Sequence, residues 1–501
     1  MIQWPDDIWQ KLGELLTYNP KAPLIFSSGL FLFLFAGFTF FYMMMRRQLT
    51  LRLIYVLLFS LYFYYLSSGM YFLVLLFVAT SDYFIGRALG PERSHGRRKA
   101  LVALSVVINL GLLCYFKYTN FFIGLVNDIS GHHFLDFKNI FLPVGVSFFV
   151  FQSMSYTIDL YRRRIEPLHN WLDYAFYLSF FPGLVAGPIV RARDFIPQIR
   201  QKPLTVSRQM FGAGMFLIIS GLFKKAIISD YISLNFVDRI FDNPLLYTGF
   251  ENLMGVYGYA MQIYCDFSGY SDMAIGIALL LGFWFPRNFD SPYKSATITE
   301  FWRRWHISLS TWLKDYLYIS LGGNRKGKLR TYVNLMITML LGGLWHGAAM
   351  KFILWGGLHG VALAIHKFFM NLFPNAFKPQ GDMMPRWRRI IGIVVTFHFV
   401  CFGWIFFRAK DMATAKNVIS QIFTDFNISL IPDVVYGYIA VFSLILVGYV
   451  LHFVSTRTEN VVAQRVIRMP LWGFALVTTG LIWIVMQIKS SGIQPFIYFQ
   501  F

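Results

Sequence analysis

Long apolar stretches, cut by short basic clusters, decide most of what this chain can become. Residues 24–45, 100–124, 139–160, 208–229 and 390–407 are each about as long as a bilayer's hydrocarbon core requires. Inside such a core the backbone must satisfy its own hydrogen bonds, and an apolar run of this length does so as an α-helix. Composition agrees, with 56% hydrophobic residues, only 14% charged and a mean hydropathy of +0.52. The expected fold is all-α, a polytopic transmembrane helical bundle of about eleven spans by the length rule, re-entrant or broken helices included.

The net charge of +20 does not point to nucleic acid. The basic residues come as short clusters between apolar runs, such as Arg46/Arg47/Arg52 and Arg162–Arg164, which is the pattern of cytoplasmic loops. Residues 24–45 have their cluster behind them, so they read as a signal anchor with the N-terminus outside. Residues 1–23 read as an interfacial helix, and 24–501 as one integral-membrane domain with its core at 80–370. Within 53–86, the SSG at 67–69 marks a turn between two short spans. Residues 172–190 hold Pro182, Gly183, Gly187 and Pro188 between basic loops, which suggests a re-entrant segment. The three cysteines are widely separated, with no metal-ligand spacing, and read as packing residues. His132 and His133 read as part of a solvated loop. No internal repeat is visible, which weighs against inverted-repeat transporters.

Polar chemistry gathers at 300–360. Read as one helix, 300–317 carries Phe301, Trp302, Trp305, Leu309, Trp312, Leu313 and Tyr316 on one stripe at the 3.6 period. Arg304, Ser308, Thr311 and Asp315 take the other face, with Arg303, His306, Ser310 and Lys314 beside them. Such a helix lies along the interface or lines a polar cavity. His346 sits alone within an apolar run, which makes it a functional candidate because burying an ionisable group is costly. The alternative is a neutral core histidine bonded to a neighbouring helix. Gly342, Gly343 and Gly347 allow close helix approach or a break. Residues 252–282 form one span in which Asp266, Ser268, Ser271 and Asp272 either cap a helix break at Gly269 or line a reaction chamber. GGNRKGKLR (322–330) is not a P-loop; it either anchors to the membrane or meets phosphates. His359 reads as packing.

The runs FWRRWHISLSTWLKDYLYISLGGN and LLGGLWHGA, with LPVGVSFFVFQSMSYTIDLYR, FPGLVAGPIVR and YCDFSGYSDMAIG, resemble the membrane-bound O-acyltransferase family, in particular its alginate O-acetyltransferase branch. The resemblance covers about residues 80–370. It implies a bundle around a central polar tunnel in the bacterial inner membrane. A cytoplasmic acyl thioester, acetyl-CoA or an acyl carrier protein, would enter that tunnel as donor substrate, with no bound cofactor. An extracytoplasmic polysaccharide would receive the acetyl group, directly or through a partner protein. The resemblance also marks the histidine of GGLWHG as catalytic, with the WHISLS histidine beside it.

Acyl transfer to a hydroxyl needs a base for the proton, a donor to the carbonyl oxygen and exclusion of water. Histidine suits the first task, and burial keeps it neutral. His346 is therefore expected as general base, with His306 donating to the carbonyl oxygen or positioning the acceptor. Arg303, Trp305, Ser310, Asp315, Trp345, Asp266 and Ser268 are assigned to the tunnel wall, and no metal site is expected. The competing readings are a D-alanyl, lipid or protein O-acyltransferase of the same family, a polysaccharide transporter or flippase, and a structural subunit of a polysaccharide synthase.

Overall fold

The computed structural model describes residues 6–20, 22–90, 92–132, 134–201, 205–373 and 385–488. These residues are helical with connecting turns, and no strand occurs among them. His133 lies outside them. Five helices are long and apolar enough to cross a membrane, or up to seven if each bent pair is one span. The expectation of about eleven also counted half-crossings by the length rule. Several of those apolar runs are shorter or bent, such as Gly29–Met44 and the pair Ile439–Phe453 and Thr456–Ile467, which meet at 96°.

Two compact units divide the chain. The first comprises Met1–Ile218 with Tyr270–Pro286, the second Ile219–Gly269 with Arg287–Ser490.

In the first unit, helices Leu49–Ser68 and Phe72–Ala88 are joined through Gly69–Tyr71, where Gly69 takes a φ of 63°. This is the turn expected at SSG. The apolar run from 172 breaks into Trp171–Ser179 and Phe181–Leu184, as its prolines and glycines require. Polar groups join these helices from within. Asp82 accepts from Asn109 Nδ2 at 2.7 Å and Ser153 Oγ at 2.5 Å, and Ser153 meets the Tyr174 hydroxyl at 2.8 Å. Arg52 and Arg98, expected in loops, are buried. Arg98 donates to the carbonyls of Leu160 and Tyr161, and Arg52 to those of Ile199 and Gln201, where helix ends leave acceptors unsatisfied.

The second unit is organised around the pair Lys328–His346 and Met350–Leu372. Their glycines let the backbones touch. A Cβ on Gly343 would lie 2.2 Å from the Phe352 carbonyl oxygen, and one on Gly356 2.3 Å from that of Met339. Helix Gly249–Leu280 runs unbroken for 32 residues. The break that was one of two readings at Gly269 does not occur; the missing side chain instead admits the Gly221 carbonyl, 2.7 Å from where a Cβ would sit. Lys225, on a π-helical stretch Phe223–Ser229, bridges Asp266 at 2.6 Å and Asp230 at 2.7 Å.

Candidate active site

The segment read as one helix over 300–317 is three pieces. Thr297 caps Ile298–Arg304 by accepting from the Glu300 N–H; then come Ile307–Trp312 and a π-helical turn Leu313–Tyr318. The break falls at Trp305, which is extended, and His306, whose φ is 42°. A non-glycine residue there is strained and persists only where its surroundings fix it. Asn288 supplies the fixing contacts. Its backbone carbonyl accepts from the Ile307 N–H at 2.8 Å. Its side-chain oxygen meets His306 Nδ1 at 3.1 Å and accepts from both the backbone N–H and the hydroxyl of Ser308. An amide oxygen only accepts, so Nδ1 carries the proton and Nε2 is the ring's acceptor nitrogen. His306 is fully buried, edge-on to Phe267 at 4.6 Å.

His346 is the last residue of its helix. Gly347 follows in extended conformation, and the next helix begins at Met350. Only 2% exposed, the imidazole stands among Trp345, Trp355 and Phe407 at 5.0, 5.2 and 5.3 Å between ring centres. It also reaches the wall of a cavity of about 540 Å³. Its wall includes the buried Trp355, the half-buried Trp302 and Lys367, and the exposed Arg303, Lys314 and Asn324. Lys367 donates to Asn324 at 2.9 Å, and Thr299 bonds His366 at 2.8 Å. No carboxylate lines the cavity among the described residues.

Of the residues assigned to the tunnel, His346, Arg303 and Ser310 share this cavity. His306, Trp305, Asp315, Trp345, Asp266 and Ser268 are not on its wall among the described residues. Trp305 packs in the core against Phe301 and Trp404. Asp266 is held by Lys225, and Ser268 is buried near it on the same helix. Trp345 lies between the two histidines, 6.0 Å from His306. Asp315 sits half-buried on the π-helical turn. The sequence reading missed Asn288 and Lys225. Neither carries a local signal, since one sits in a loop and the other beside a second lysine at the end of an apolar run.

The profile of the membrane-bound O-acyltransferase family matches residues 146–412, a stretch that contains both histidines. The "Probable alginate O-acetylase" of Pseudomonas aeruginosa is 41% identical over 412 residues, covering 80% of this chain and 75% of its own. The peptidoglycan O-acetyltransferase of Helicobacter pylori is 36% identical, with 81% of each chain covered. The teichoic acid D-alanyltransferase of Bacillus subtilis is 31% identical, over 54% of this chain and 70% of its own. A helical membrane chain that carries this profile over more than half its length belongs to the membrane-bound O-acyltransferase family.

Proposed function

We propose that this chain is an O-acetyltransferase of the bacterial inner membrane. It takes acetyl from acetyl-CoA on the cytoplasmic side and delivers it to hydroxyls of an extracytoplasmic polysaccharide, directly or through a partner protein. The observation that carries this reading is His346 on the wall of a cavity that also bears Arg303, Lys314 and Lys367, with no carboxylate among the described residues. Such a cavity suits a long donor with a phosphate-bearing head and a neutral thioester tip. Asn324 belongs to the loop GGNRKGKLR, and loops of that charge face the cytoplasm.

In this reading the acceptor hydroxyl gives its proton to His346 as its oxygen attacks the thioester carbonyl. The new C–O bond forms, the C–S bond breaks, and the proton passes from His346 to the departing thiolate, leaving an ester and free CoA. His306, whose Nδ1 is held by Asn288, acts beside this step by accepting from a hydroxyl of the acceptor at Nε2 and so positioning it. The acetyl group is preferred over D-alanyl because the two acetyltransferase relatives match four-fifths of the chain, the D-alanyl relative about half.

Purified protein in lipid nanodiscs tests this with radiolabelled acetyl-CoA, against a D-alanyl carrier-protein thioester. The acceptors are unacetylated alginate oligosaccharides and peptidoglycan fragments. CoA release with label in the glycan supports the reading; transfer from the carrier-protein thioester alone replaces acetyl by D-alanyl; transfer from neither refutes both.

A further inference from the structure

The first unit carries an arm that runs past the ends of its neighbours. His95–Ser130 is one apolar helix of 36 residues, with a π-helical stretch at Cys114–Tyr118. Side-chain contacts fix its level against the helices around it. Arg98 donates to the carbonyls of Leu160 and Tyr161, and Asn109 to Asp82. Towards the other end, Phe116 meets Tyr71 at 5.8 Å between ring centres, in the turn that joins Leu49–Ser68 to Phe72–Ala88. Ser68, at the same turn, accepts from the N–H of Val144, just before helix Val146–Tyr161 starts. Three neighbouring helices thus begin or end near the level of Phe116. From Ala100 to Tyr118 the long helix measures about 28 Å, close to the thickness of a hydrocarbon core.

The helix does not stop there. Thr119–Ser130 continues it for 12 residues, about 18 Å, to Gly131, whose φ of 67° ends it. The chain then folds back along this extension. The Asn127 side-chain oxygen accepts from the N–H groups of Phe134 and Leu135 at 3.0 and 3.1 Å, and its amide donates to the Leu135 carbonyl. Asn120 holds both backbone groups of Lys138 in the same way. Phe122, Leu125, Val126 and Ile129 form one exposed helical stripe, and Phe134 and Leu135 stand exposed at the level of Asn127. Ile129 is 80% exposed and Phe134 70%. Lipid accounts for such exposure at Phe122 but not at the tip. Asn127 lies about 13 Å past Tyr118, and a headgroup layer is only about 5–8 Å deep. Arg93, Arg97 and Lys99 at the helix's other end, level with Arg162–Arg164, mark that end as cytoplasmic, so the arm is outside.

We propose that the tip of this arm is the docking surface for a second protein on the extracytoplasmic side, one that offers an apolar groove to Ile129 and Phe134. An apolar patch held rigid above the lipid, with the exposed Asp128, Asp136 and Lys138 at its edge, has the make-up of a protein interface. The two asparagines preorganise it, so little ordering cost remains on binding. The partner's task, carrying the acetyl group on to the polysaccharide, rests on the O-acetyltransferase reading; the docking does not.

The test uses the full chain, in cells that make the acceptor polysaccharide and in nanodiscs. A photoreactive phenylalanine analogue in place of Phe134, illuminated in cells, should crosslink to an extracytoplasmic protein and lose that crosslink when Ile129→Ser is added. The double variant Ile129→Ser/Phe134→Ser leaves Asn120 and Asn127 in place. Purified in nanodiscs, it should melt and release CoA from acetyl-CoA as wild type does. In cells, acetylation of the polysaccharide should fall at least about tenfold, the loss expected when two interface anchors are removed. Crosslinks to lipid alone, or strong quenching of Phe134→Trp fluorescence by brominated phospholipid, would put the tip in the bilayer and overturn the proposal. A crosslink only to a second copy of this chain, or full acetylation by the double variant in cells, overturns it too. Wild-type protein that releases no CoA would sink the acetyl-CoA reading, and the crosslink would still decide the docking surface.

Discussion

Asn288 holds His306 in a backbone conformation that histidine rarely adopts, and its side-chain oxygen serves three donors at once. Removing that oxygen takes one acceptor from three buried donor groups. Asn288→Ala should therefore cost about 1–3 kcal/mol, seen as a lower melting temperature, and reduce transfer further by loosening His306. Wild-type melting and activity in Asn288→Ala would remove Asn288 from the site. Lys225 poses the same problem with charge. Its ammonium bridges two carboxylates, so Lys225→Met should destabilise by about 3–5 kcal/mol, and adding Asp266→Leu should recover part of the loss. If the double variant is no better than the single, Asp266 is held by something else. Neither pairing was legible beforehand. Asn288 and His306 are eighteen residues apart through a loop, and an ionisable residue in an apolar run announces a cost without naming the partner that offsets it.

At the scale of elements, periodicity was a good guide to which residues are apolar and a poor guide to continuity. The stripe over 300–317 is largely buried, yet the helix stops at His306 because Asn288 captures the backbone N–H of Ile307 and both donors of Ser308. At Gly269, where a break was one of two open readings, the helix is intact and the glycine serves close packing. Of the two roles open to the glycines around His346, close approach holds at Gly343, where Gly356 on the facing helix completes the contact, and a break falls at Gly347. Gly356→Ala should force the pair Lys328–His346 and Met350–Leu372 apart, because its Cβ would sit 2.3 Å from a backbone oxygen that has no rotamer to escape into. The expected outcome is aggregation in size-exclusion chromatography. Gly37→Ala, with nothing within 4 Å of its Cβ, should behave as wild type. A well-folded Gly356→Ala protein would show that this helix contact is looser than drawn.

For the whole molecule, membrane character and helical class could be read from hydropathy and charge, and motif singled out two candidate histidines, of which His346 reaches the cavity. The cavity could not, because its wall mixes residues from segments that only folding brings together, such as Thr299, Leu335 and Asn371. Its charge gives a global test. Exposed cations steer an anionic donor and are screened by salt. Lys314→Gln and Lys367→Gln should each raise KM for acetyl-CoA several-fold at low ionic strength, by about 0.2–1 kcal/mol for an exposed pair, with kcat little changed. The difference from wild type should shrink as salt rises. A KM insensitive to both would place the donor elsewhere.

The most direct measurement is acetyl transfer by His346→Ala in nanodiscs, alongside its melting temperature and its binding of acetyl-CoA. A protein that still folds and binds donor but transfers acetyl about 10²–10⁴-fold more slowly is the outcome expected of a lost general base. A folded His346→Ala protein with undiminished transfer would contradict it.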